Sequence, residues 1–182
     1  MNVLQVIFNS LNNKVKKMVA VKVSFIGYPA VGKSTLMKLL AGASPNLDYI
    51  PTMGLDFGSV KLGEHEIKLW DIGGQKQFEP LWNSFLQGSY LAVVVTDSTP
   101  QNVLQTKQII DFILRKNSKC RVIAIANKQD MDGKMGAKTV EDVLRVPTYP
   151  IIAIEEHNKE KIRYILIKEL LEATGNGEEE NE

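Results

Sequence analysis

Gly27-Tyr-Pro-Ala-Val-Gly32-Lys33-Ser34 has the spacing G-x-x-x-x-G-K-[ST], a loop suited to holding phosphate. Glycine near each end lets the backbone curl so that its N–H groups face phosphate oxygens. A helix starting there adds partial positive charge. Lys33 can reach the β- and γ-phosphates and offset their charge, which makes it a candidate catalytic residue. The Ser34 hydroxyl suits Mg2+, a hard cation that prefers oxygen. Pro29 has no N–H to offer. The nucleotide-binding stretch is therefore expected to be Ala30, Val31, Gly32, Lys33 and Ser34, with Thr35 beside them in the first helical turn.

Asn127-Lys128-Gln129-Asp130 follows the apolar run Arg121–Ala126. That placement is the carboxyl end of a strand, where ligands bind in α/β folds. A carboxylate at Asp130 can accept from both the ring N–H and the exocyclic amine of guanine. Adenine lacks that donor pair and would leave the carboxylate unmatched. Asn127 and Lys128 are expected to support the base and brace the phosphate loop. Ala153 follows a short strand-like run, and its backbone N–H can either meet the guanine carbonyl or simply end the strand.

Asp71-Ile72-Gly73-Gly74-Gln75 follows another strand-like run. Asp71 is placed to hold Mg2+ through water. Gly74 can bring its N–H to a γ-phosphate, and Gln75 can orient an attacking water, a second catalytic candidate. Thr52 lies 19 residues after Lys33 and 19 before Asp71. Its hydroxyl can join Ser34 on Mg2+ and its N–H can touch the γ-phosphate. Both contacts end on hydrolysis, so the segment would loosen.

These residues need a scaffold that gathers strand ends. Strand-like segments at Ala20–Ile26, Leu55–Leu62, Glu66–Asp71, Tyr90–Thr96, Arg121–Ala126 and Tyr149–Ile154 alternate with helix-like ones at Lys33–Ala41, Val103–Arg115, Thr139–Arg145 and Lys159–Leu171. The expected fold is α/β: a mostly parallel six-stranded sheet with helices on both faces. The expected division is an amphipathic helix at 1–18, the nucleotide-binding domain at 19–174 and a disordered acidic tail at 175–182.

Composition agrees with one ordinary domain. The chain has 182 residues, 44% hydrophobic and 24% charged, which is globular rather than disordered. A net charge of +1 gives no electrostatic case for nucleic acid. Cys120 stands alone and reads as a small core residue. His65 and His157 have no ligand cluster nearby and read as solvent-exposed. Phe78, Trp82 and Phe85 can form either a patch that partners recognise or part of the core.

Near the start, Leu4, Ile7, Phe8, Leu11, Val15 and Met18 recur at helical spacing among Asn, Gln and Lys. Such a helix can dock on a membrane, with Lys14, Lys16 and Lys17 meeting anionic lipid, or pack permanently on its own domain. Asn2 lacks the glycine needed for myristoylation, and Asn181-Glu182 is no prenylation box. No run of about 20 apolar residues crosses a bilayer. The expected location is cytoplasmic, or peripheral on the cytoplasmic face of a membrane.

Over residues 20–172 the chain resembles the Ras-like small GTPases, and most closely their Arf and Arf-like branch. The resemblance rests on Pro51-Thr52-Met53-Gly54, Trp70-Asp71-Ile72-Gly73-Gly74-Gln75, Pro80-Leu81-Trp82 and Asn127-Lys128-Gln129-Asp130. It implies a GTPase switch that uses Mg2+, with an exchange factor, an activating protein and effectors meeting the switch segments. It also implies that the N-terminal helix is held with GDP and released with GTP, coupled by the hairpin near Leu55–Trp70. No arginine in the motifs is a built-in finger, so turnover is expected to be slow and an activating partner to supply one. The chain departs from the family pattern at Asn2, Pro29 and Ile152. Pro29 keeps a second reading open: a nucleotide-gated binding module with negligible hydrolysis. A small kinase with the same loop is disfavoured by Asn127–Asp130 and by Thr52 with Gln75.

Overall fold

The computed structural model describes residues 21–42, 52–62 and 65–175. The expected helix at 1–18 and tail residues 176–182 lie outside them. In chain order the elements are β1 (Val21–Ile26), α1 (Lys33–Ala41), β2 (Leu55–Leu62), β3 (His65–Ile72), a 3-10 turn (Lys76–Leu81), α2 (Trp82–Leu86), β4 (Leu91–Thr96), α3 (Pro100–Lys116), β5 (Arg121–Ala126), α4 (Ala137–Leu144), β6 (Thr148–Pro150) and α5 (Asn158–Gly175). The final helix runs to Gly175, the first residue of the expected tail.

The six strands form one sheet in the order β2-β3-β1-β4-β5-β6. Only β2 runs antiparallel, paired with β3 from Leu55 opposite Ile72 to Leu62 opposite His65. The other neighbours are parallel. Strand order reverses at β1, so the chain leaves β1 at a crevice between crossovers going opposite ways.

Both faces of the central strands are covered, which is why β4 and β5 are apolar at successive positions instead of alternating. Val93, Val95, Ile123 and Ile125 face one way, in the core layer of α1 and α5, with Leu36, Leu40, Ile162 and Leu166. Ala92, Val94, Val122 and Ala124 face the other, with Ile109, Ile113, Val140 and Leu144 from α3 and α4. Each buried Val, Leu or Ile among them contributes roughly 1.5–3 kcal/mol.

Element ends follow local chemistry. α3 begins with Pro100, and the Thr99 hydroxyl accepts from the Asn102 N–H. α1 has no side-chain cap at its start, which leaves its first N–H groups for a ligand. The expected strand Tyr149–Ile154 stops at Pro150. Pro150 cannot donate to a ladder, a position tolerated on an edge strand. The Ile151 N–H still reaches the Ala126 carbonyl at 3.0 Å, but the chain then turns toward Asn127. Among the described residues no helix is long and apolar enough to cross a membrane.

Candidate nucleotide-binding site

The loop from Gly27 to Ser34 joins β1 to α1, as its spacing demands. Gly32 has φ 104, and a β-carbon there would lie 2.2 Å from Asn127 Nδ2, so only glycine fits. Ala30 has φ 60 and is exposed, a non-glycine residue held in the left-handed region. Lys33 is buried, and its ammonium donates to the carbonyls of Gly27 at 2.9 Å and Tyr28 at 3.0 Å. Burial pushes its pKa below the ordinary lysine value, while the Asp71 carboxylate pulls it back up.

Three oxygens from three parts of the chain converge beside Lys33. Ser34 Oγ lies 3.1 Å from Thr52 Oγ1. Ser34 also donates to Asp71 Oδ2, and Thr52 Oγ1 donates to the same atom at 3.2 Å. Asp71 Oδ1 is buried and has no hydrogen-bond partner among the described residues. Burial raises the Asp71 pKa, and the Ser34 hydroxyl, Lys33 and Thr52 oppose that shift. A buried carboxylate oxygen without a partner, next to two hydroxyls, is a donor set that fits Mg2+.

The segment after β3 closes over the loop. A β-carbon on Gly74 would sit 1.9 Å from the Gly27 carbonyl oxygen. The Gly73 N–H donates to the Gly54 carbonyl at 2.7 Å, and the Gly73 carbonyl accepts from the indole of Trp82 at 3.2 Å. Trp82 is therefore core, packed edge-on to Phe112, while Phe78 and Phe85 are half-buried. Gln75 opens the 3-10 turn, and its side-chain oxygen accepts from Gln77 at 3.0 Å.

Asn127 joins the two ends of the site. Its Nδ2 donates to the Val31 carbonyl at 2.8 Å, and its Oδ1 accepts the Ala153 N–H at 3.0 Å. The Ala153 N–H, expected either to meet the guanine carbonyl or to end a strand, is thus engaged by Asn127. The next donor along is the Ile154 N–H, which makes no hydrogen bond among the described residues. Ile154 is exposed, whereas Ala153 is buried. Lys128 has φ 60, and Asp130 is exposed at the rim. Thr35 is half-buried in the first turn of α1. His157 is exposed, with its Nε2 3.3 Å from a Glu155 carboxylate oxygen.

Comparison with known proteins matches most of the chain to one family. Residues 4–177 match the model of the ADP-ribosylation factor family. The chain is 31% identical over 124 residues to ADP-ribosylation factor-like protein 8b of Arabidopsis thaliana, covering 66% of this chain and 67% of that protein. It is 32% identical over 127 residues to ADP-ribosylation factor J of Dictyostelium discoideum, covering 68% of this chain and 66% of that one. The matched stretches thus span about two thirds of each relative.

Proposed function

Because the chain belongs to the ADP-ribosylation factor family of Ras-like small GTPases, we propose that it binds GTP and GDP with Mg2+, hydrolyses GTP slowly and changes surface when the terminal phosphate leaves. The convergence of Ser34, Thr52 and Asp71 beside buried Lys33 carries this reading. Mg2+ held by Ser34, Thr52 and, through water, Asp71 would offset phosphate charge. The loop N–H groups from Ala30 to Ser34 bind the phosphates. Asp130 accepts from guanine, and the Ile154 N–H meets its carbonyl. Gln75 orients the attacking water, and Gly74 presents its N–H to the γ-phosphate. Loss of that phosphate frees Thr52 and Gly74, which alters the surface available to an exchange factor, an activating protein and effectors.

Single-turnover hydrolysis by the wild type and by Gln75→Leu tests the catalytic part. A wild type at least about tenfold faster supports it. Equal rates, with or without cell extract, would instead favour a nucleotide-gated binding module with negligible hydrolysis, the reading that Pro29 motivates.

Residues 2–18 are proposed to attach the protein peripherally to the cytoplasmic face of a membrane in the GTP state. Their apolar stripe and Lys14, Lys16 and Lys17 support that assignment. Pelleting with anionic liposomes should recover more protein with a GTP analogue than with GDP. Equal recovery would end the coupling.

A further inference from the structure

We propose that Ser98 is a positioning residue for guanine recognition, an inference that rests on Asp130 reading the base. Ser98 lies two residues beyond β4, fully buried, between that strand and α3. It has φ 65, a left-handed conformation that a serine adopts only when its surroundings impose it. Its surroundings do so through every polar group it has. Its N–H donates to Thr96 Oγ1 at 3.2 Å and its carbonyl accepts the Met135 N–H at 2.8 Å. Its hydroxyl donates to the Asn127 carbonyl at 2.7 Å and accepts from Gln129 Nε2 at 2.8 Å.

One hydroxyl thus holds the base-reading segment at two points, the backbone of its first residue and the side chain of its third. Between them Lys128 is itself held at φ 60. Gln129 Nε2 also donates to the Met135 carbonyl at 3.1 Å, which ties the segment to the loop that follows. The assembly is anchored on α3: Thr96 Oγ1 donates to Asn102 Oδ1 at 2.7 Å, and that oxygen also accepts the Asp97 N–H at 3.2 Å and the Thr106 hydroxyl at 3.3 Å. Asp130 comes directly after Gln129. Its exposed carboxylate makes no hydrogen bond among the described residues, so the position of its backbone sets the space the carboxylate can reach. Gln129 therefore faces inward as a brace and does not read the base. The Ser98–Gln129 bond is the contact that carries rigidity from the core to the Asp130 carboxylate.

The test compares GDP with inosine diphosphate, which keeps the ring N–H but lacks the exocyclic amine that Asp130 accepts from. Affinities are measured for the full-length wild type, Ser98→Ala, Ser98→Gly and Gln129→Leu, with ADP as a control. The wild type should prefer GDP to both competitors. Ser98→Ala should weaken GDP by about tenfold or more while inosine diphosphate changes by less than about threefold, so the ratio collapses. Ser98→Gly, relaxed at positive φ but without the hydroxyl, should behave like Ser98→Ala. Gln129→Leu removes the same bond from a half-buried side chain and should lower the ratio too, whether or not the Ser98 variants fold. An unchanged ratio in Gln129→Leu, or equal weakening of both nucleotides in the variants, overturns the inference while leaving guanine recognition intact. A wild type that does not separate GDP from ADP overturns the guanine reading itself and this inference with it.

Discussion

The side-chain amide of Asn127 donates to the Val31 carbonyl, 2.8 Å away and 96 residues earlier in the chain. The same side chain accepts the Ala153 N–H at 3.0 Å. One buried residue therefore couples the phosphate loop, the base-reading segment and the loop after β6. Asn127→Ala strands a buried carbonyl and a buried N–H, each costing about 1–3 kcal/mol. Fluorescent GDP should leave this variant at least ~30-fold faster than the wild type. A release rate within threefold of wild type would show that the loops hold their places without Asn127.

Gly74 leaves no room for a side chain over the phosphate loop. Its β-carbon would meet the Gly27 carbonyl oxygen at 1.9 Å and the Tyr28 carbonyl carbon at 2.7 Å, both backbone atoms that cannot swing aside. Gly74→Ala should bind GDP within about threefold of wild type. Its preference for a GTP analogue should fall by tenfold or more, because closure over the γ-phosphate is blocked. Parallel titrations with the two nucleotides measure the difference.

Cys120 is buried, and burial pushes its thiol up to about 11, against the weaker pull of the Ala92 backbone and Lys22. The raised value favours the neutral form in the folded state. Between the ordinary value of 9.0 and about 11 the unfolded chain ionises while the native thiol does not, so unfolding is favoured as pH rises through that window. The loss is at most about 2–3 kcal/mol by pH 11. Urea denaturation at pH 8, 9.5 and 11 should show a decline that Cys120→Ala flattens. At pH 8 a thiol reagent should label the native protein at least ~100-fold more slowly than the unfolded chain.

Far from the nucleotide site, Glu169 is a fully buried carboxylate. Its Oε2 accepts from Arg121 Nε at 2.5 Å, and its Oε1 accepts the Tyr149 hydroxyl. The pair ties α5 to the start of β5. Arg121→Met should lower stability in urea by roughly 1–3 kcal/mol, because the buried Glu169 carboxylate loses its nearest cation and keeps the Tyr149 hydroxyl and Lys168 Nζ at 3.8 Å. Arg121→Met with Glu169→Leu should recover much of that loss. If the single change costs under 1 kcal/mol, the pair is only a surface contact.

The chemistry of the site was largely legible from local patterns. The loop Gly27–Ser34, Asp71–Gln75, Thr52 and Asn127–Asp130 are contiguous motifs, and the strand ends deliver them to one crevice. Arg121–Ala126 was read with its true limits because an uninterrupted β-branched and apolar run needs burial on both faces. Contacts between distant parts of the chain were not legible. Ser98 reads as a loop serine until the fold brings Asn127 and Gln129 to it, 29 and 31 residues away. Trp82 fits partner surface and core equally well by sequence, and its bond to Gly73 decides for the core. Glu169 is held from β5 and β6, partners that no local pattern in its helix reveals.

The most direct test of the central claim is nucleotide exchange on purified full-length protein. Fluorescent GDP is challenged with excess GTP, GDP or ATP, in Mg2+ and after its removal by EDTA, for the wild type and for Asp71→Asn. Displacement by GTP and GDP but not ATP is expected, with release about tenfold or more faster in EDTA and with little EDTA effect left in Asp71→Asn. Displacement by ATP, or release indifferent to Mg2+, would contradict a guanine nucleotide switch built on Asp130 and on the Ser34, Thr52 and Asp71 oxygens.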